Sequence, residues 1–106
     1  MASGTIKRSK ENQPFDNMTQ IPSNSNINNY TAVGIFGCAD SATASTLSNS
    51  PTTGAFTMMV FAADGSIVDS LTTGKTQIVF GQNAIFIRRG TSNGWSTWYK
   101  TTTTTV

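Results

Sequence analysis

Five carboxylates are the only acids in the chain: Glu11, Asp16, Asp40, Asp64 and Asp69. Cleaving a glycosidic bond takes two of them, one on each side of the scissile oxygen. Glu11 and Asp16 fall in a polar leader, Asp40 precedes a run of small residues and reads as a helix cap, and Asp64 is followed by Gly65 as a turn would be. Asp69 is then left without an evident partner, so the expectation is a protein that is not an enzyme. The chain has no histidine, which removes histidine bases, triads and histidine-ligated zinc. Its single cysteine, Cys38, cannot close an internal disulfide, and it ends the apolar stretch Val33-Gly34-Ile35-Phe36-Gly37. A thiol there reads as a small buried hydrophobe rather than a nucleophile. No Asp-rich loop of the calcium type appears, so neither a metal nor a cofactor is expected.

The positive charges say more about partners. Seven Lys and Arg against five acids give a net charge of +2, and three of the seven, Lys7, Arg8 and Lys10, fall in the first ten positions. The remainder is near neutral and lacks the basic stripe with interleaved aromatics that a nucleic-acid surface needs. The start, Met1-Ala2-Ser3-Gly4-Thr5, opens into a charged segment with no apolar core, unlike a signal peptide. The longest apolar run, Ala55 to Ala63, is far short of the ~20 residues of a membrane helix. Neither nucleic acid nor membrane insertion is expected.

These side chains need elements to hold them. At 106 residues one domain with a modest core is the default. Charged residues make up 11% and hydrophobic ones 37%, while Ser (12), Thr (18), Asn (9) and Gln (4) supply most of the polarity. That composition excludes both a charge-rich disordered chain and a Leu/Glu/Lys-rich helical bundle. Beyond Met1, residues 1–29 carry only Ile6, Phe15, Met18, Ile21 and Ile27 as large apolar groups, irregularly spaced, and end in an Asn/Ser run that favours turns. They read as an extended N-terminal arm that orders against a partner. On that reading, deleting residues 1–25 leaves a domain that still folds.

From residue 30 the pattern becomes that of strands. Ala32–Cys38 is a first candidate, followed by one or two helical turns after Asp40 and a turn cluster from Asn49 to Gly54. Ala55–Ala63 suits a central strand buried on both faces. Asp64-Gly65 reads as a hairpin turn with a return strand over Ile67–Leu71. Thr76–Phe80 follows, then Ala84–Arg88, with Ile85 and Ile87 on one face and Phe86 and Arg88 on the other. After the Ser92-Asn93-Gly94 turn, Trp95–Lys100 reads as one regular strand, with Trp95, Thr97 and Tyr99 facing one way and Ser96, Trp98 and Lys100 the other. Thr101–Thr105 extends it or frays. The fold class is all-β with one short helix at most, a small antiparallel-sheet knob over residues 30–106 behind the arm.

Several segments in this order carry a resemblance. They are Asn29-Tyr30-Thr31 with Gly34-Ile35-Phe36, the small-residue run Ser41 to Pro51, and Gly54 to Val60. The closing segments are Ile85-Phe86-Ile87-Arg88-Arg89-Gly90 and Asn93-Gly94-Trp95-Ser96-Thr97-Trp98-Tyr99-Lys100. Over residues 30–100 the chain resembles the pyocin-knob family of phage tail-fibre domains, most specifically in its double-Trp ending. The resemblance implies a virion protein, assembled in the host cytoplasm, commonly homotrimeric and linked to host-surface attachment. If the ligand is a glycan, Trp95, Tyr99, Asn93 and Arg89 are the candidate contacts, aromatic faces for sugar C–H groups beside polar groups for hydroxyls. Lys7, Arg8 and Lys10 would anchor the arm to a capsid or tail protein. The alternative is a purely structural capsid-decoration or head-fibre protein held through the same arm.

Overall fold

A computed structural model describes residues 18–63, 70–102 and 104–105. One sheet of seven strands organises them: β1 (Thr19–Gln20), β2 (Gly34–Cys38), β3 (Phe56–Ala62), β4 (Lys75–Phe80), β5 (Ala84–Thr91), β6 (Gly94–Trp95) and β7 (Tyr99–Thr102). The spatial order follows the sequence from β1 to β5, and β6 and β7 share the far edge of β5. All pairings are antiparallel except β1 with β2. One α-helical turn, α1 (Ser41–Ala44), follows β2, and its N-cap is Asp40, whose carboxylate accepts from the Thr43 N–H at 2.7 Å. That bond holds the exposed Asp40 carboxyl below its ordinary pKa. The all-β architecture with one short helix is therefore the one the sequence implies.

Strand period 2 places the core. Phe56, Met58 and Val60 of β3, Val79 of β4 and Cys38 of β2 point to one face and are buried. Over that face lie the segment from Ile21 to Tyr30, with a 3-10 turn at Ile27–Asn29, and the segment carrying α1 and Leu47. The other face is half exposed. Thus β3 is central, as its apolar run implies, but it is not buried on both faces: Met59 is half-buried and Phe61 is exposed.

The return from β3 also differs from expectation. The Asp64-Gly65 turn and Ile67–Asp69 lie outside the described residues, and Ser70 and Leu71 belong to no strand. The partner of β3 is β4, with Ala62 opposite Lys75. Gly74 closes the connection with a φ of +73°, which favours glycine, and its carbonyl accepts from the Ala63 N–H at 2.8 Å.

The largest correction concerns residues 18–29. They pack within the chain and do not wait for a partner. Thr19 and Gln20 pair with Phe36 and Gly37, the Ile21 N–H donates to the Gly37 carbonyl at 2.8 Å, and Ile21 and Ile27 sit in the core. Two isoleucines separated by polar residues do not announce an element by periodicity, yet each fills a place between sheet and covering loops. The Gln77 amide fixes this cover from below, donating to the carbonyls of Ile27 and Tyr30, both at 2.9 Å. Lys7, Arg8 and Lys10 lie outside the described residues.

Candidate functional site

The double-Trp ending is not one regular strand. Gly90 pairs with Trp95 and Ile87 with Tyr99, so two residues of β5, Arg88 and Arg89, stand opposite three, Ser96 to Trp98. This is a β-bulge, and the extra residue shifts the rest of the strand by one side-chain alternation. Ser96 ties the bulge to Arg89, its N–H donating to the Arg89 carbonyl at 2.8 Å and its hydroxyl accepting from the Arg89 N–H at 3.1 Å. Trp95 and Trp98 therefore lie on the same face, the inner one, where period 2 over an unbroken strand would have opposed them.

Between them lies Arg88, only 4% exposed, with its guanidinium carbon 4.8 Å from the Trp95 ring centroid and 4.3 Å from that of Trp98. Its Nε donates to Gln77 Oε1 at 2.8 Å, while Nη2 is buried without a hydrogen-bond partner. Burial pushes the Arg88 pKa down to about 10. Each indole N–H is also used: Trp95 donates to the Asn28 carbonyl at 2.9 Å and Trp98 to the Asn49 carbonyl at 3.0 Å. Both tryptophans thus pin covering loops to the sheet and clamp a cation.

This arrangement separates the four candidate contacts. Trp95 is half-buried on the inner face with its ring and N–H engaged. Arg89 is exposed on the opposite face, where Tyr99 also points and is 64% exposed. Asn93 is exposed in the β5–β6 turn, where its N–H donates to Thr91 Oγ1 at 3.1 Å. The structure brings Arg89 and Tyr99 to one face and leaves Trp95 on the other. Cys38 is buried, and desolvation raises its thiol pKa, as expected of a structural thiol. Among the described residues no group of three His, Cys, Asp or Glu could hold a metal ion, and no helix is long and apolar enough to cross a membrane.

Two surface features were not legible in the sequence. The first is a row across the outer face, in which register aligns Ile35, Met59, Ile78, Ile87 and Tyr99 on five successive strands. Phe80 and Ile85 extend it in the neighbouring row, both more than a third exposed. The second is a pair of adjoining clefts at the end of the sheet where β4 turns into β5. One, about 220 Å³, lies between Thr52, Gly54, Gln82, Phe86 and Lys100; the other, about 290 Å³, lies beside Phe56 and Phe80, and both share Gly81 and Gln82.

No protein-family profile and no curated protein sequence matches the chain. Solved structures do. The chain is similar to an N-truncated R2-type pyocin tail fibre, with a TM-score of 0.66 and 19% identity over 78% of this chain and 31% of that one. It is similar also to the C-terminal part of the P. aeruginosa R1 pyocin fibre, with a TM-score of 0.65 and 18% identity over 78% of this chain and 21% of that one. The chain thus spans less than a third of either fibre. At this identity the likeness is one of fold, and in fold this chain is built like a segment of a pyocin tail fibre.

Proposed function

We propose that the chain is a virion structural protein of the fibre-knob type, working as a homotrimer that displays its surface for attachment to a host-cell glycan. The observation that carries this reading is the fold shared with two pyocin fibres over 78% of the chain. The outer face of the sheet supports the oligomer. A continuous row of Ile35, Met59, Ile78, Ile87 and Tyr99 is the kind of apolar surface that a monomer rarely leaves uncovered. On this reading the residues before Met18, including Lys7, Arg8 and Lys10, join the knob to another capsid or tail protein. The knob binds and does not catalyse.

Imaging intact particles with a label on this chain tests the assignment. Density at fibre tips is the expected result, label spread over the capsid would favour the decoration protein, and no label on particles would end the virion reading. For the oligomer, Ile87→Lys places a charge within the apolar row on a side chain already 37% exposed. Sedimentation of this variant is expected to fall to about one third of the wild-type mass with an unchanged far-ultraviolet spectrum. A wild-type chain that sediments as an 11.3 kDa species at micromolar concentration would overturn the homotrimer.

A further inference from the structure

We propose that the cleft between the Gly81–Asn83 turn and the Thr52–Gly54 loop binds a single sugar ring carrying a carboxylate. This rests on the glycan reading above and moves the contact away from Trp95, whose ring and N–H are engaged within the fold.

The cleft forms where four element ends meet: the approach to β3, the end of β4, the start of β5 and the body of β7. Its chemistry is mixed in the way saccharide recognition requires. The Phe86 ring is half-buried and presents part of its surface to the cleft, a platform for sugar C–H groups. Thr52 Oγ1 accepts from the Gly54 N–H at 3.2 Å, which leaves the hydroxyl proton to donate outward. The exposed Gln82 side chain adds an amide that both donates and accepts.

Two glycines keep the space open. A Cβ on Gly81 would come within 3.2 Å of the Ala84 carbonyl oxygen and 3.4 Å of Phe86 Cε2, whereas one on Gly54 would meet only Thr52 Oγ1, at 3.9 Å. At about 220 Å³ the space lies below the ~300 Å³ at which pockets begin to hold drug-sized ligands, so it suits one ring rather than an oligosaccharide. Charge selects the ligand class. Among the described residues Lys100 is the one charged residue lining the cleft and no acid lines it, so its ammonium is placed to meet an anionic substituent.

The test is nitrogen-15 chemical-shift mapping on the full chain with methyl β-D-glucuronide, methyl α-N-acetylneuraminide and, as the neutral control, methyl β-D-glucoside. The expected result is saturable shifts at Gly54, Gly81, Gln82 and Lys100 with at least one acidic glycoside. The neutral glucoside should bind about tenfold more weakly, the factor a lost charge-assisted hydrogen bond of ~1.4 kcal/mol represents. Lys100→Gln, at an exposed position, should remove the preference for acid while leaving the spectrum folded, and Thr52→Val should weaken all three sugars. Absence of cleft shifts with both acidic glycosides overturns the proposal, as do equal affinities for acidic and neutral sugars or shifts centred on Trp95. The fibre-knob reading fails separately, when labelled chain is missing from particles. A chain that is present at fibre tips but gives no cleft shifts leaves that reading intact and removes this site.

Discussion

Replacing Arg88 with alanine is expected to cost about 3–4 kcal/mol of folding stability, whereas Arg88→Met should remain within about 1 kcal/mol of wild type. The alanine variant removes the group that fills the gap between Trp95 and Trp98 and strips Gln77 Oε1 of its donor. Gln77 in turn holds the carbonyls of Ile27 and Tyr30, so the loss reaches the loops over the core. Methionine loses the Gln77 bond as well, but it refills the space with a polarisable chain that packs well on aromatic rings. It also abolishes the desolvation of a guanidinium whose Nη2 has no partner. Urea unfolding at pH 7 measures both.

The pH dependence separates packing from charge. Burial lowers the folded-state pKa of Arg88 to about 10, well below that of a free guanidinium. Below pH 10 both folded and unfolded chains carry the proton, and the charge opposes folding in full. Above pH 10 the folded chain releases its proton before the unfolded one does, so this opposition fades as pH rises. The stability of wild type relative to Arg88→Met is therefore expected to increase above pH 10. A difference that stays flat or falls there would show that burial does not penalise this charge.

The second large effect separates two truncations. A chain beginning at Met18 keeps every contact described above and is expected to unfold cooperatively. One beginning at Asn26 loses β1, the Ile21 side chain at 3% exposure, and the Ser25 carbonyl that accepts from the Ser48 N–H at 2.9 Å. Removal of one buried isoleucine alone costs about 2–5 kcal/mol, and the unpaired backbone of β2 adds to it. Against a total of ~5–15 kcal/mol, that loss is expected to leave little or no cooperative transition in thermal unfolding. A sharp transition in the shorter chain would mean that Ile21 contributes little to the core.

Features are legible in the sequence when their cause is local. Ile85–Arg88 alternates cleanly because β5 has one covered face, and Asp40 caps α1 through a bond three residues away; both can be read by eye. The place of β1 cannot, because a two-residue exposed strand and two isolated isoleucines have no period, and only the sheet edge and core vacancies elsewhere in the chain define them. The bulge at Ser96–Trp98 is hidden for a different reason. Trp-Ser-Thr-Trp-Tyr-Lys fits an alternating template well enough that nothing marks the extra residue, and the error it causes puts Trp95 and Tyr99 on one face. The cleft joins Thr52, Gln82 and Lys100 from three distant segments, so no stretch of sequence contains it.

The bulge also governs which length changes this protein can tolerate. Losing one codon at Ser96 or Thr97 would restore a straight ladder opposite Arg88 and Arg89. Trp95 would stay opposite Gly90, Trp98 would come opposite Arg88, and Tyr99 and Lys100 would keep their places opposite Ile87 and Phe86. A single in-frame deletion of Ser96 or Thr97 thus leaves the core, the apolar outer row and the cleft facing as they do, and for Ser96 its cost is the pair of bonds to Arg89. The connection from Ala63 to Gly74 joins β3 to β4 with no strand between Ser70 and Gly74, and chain added there would leave the register of β3 with β4 untouched. Among homologous chains, length variation should therefore collect in that connection and, between the two tryptophans, be confined to the loss of one bulge residue.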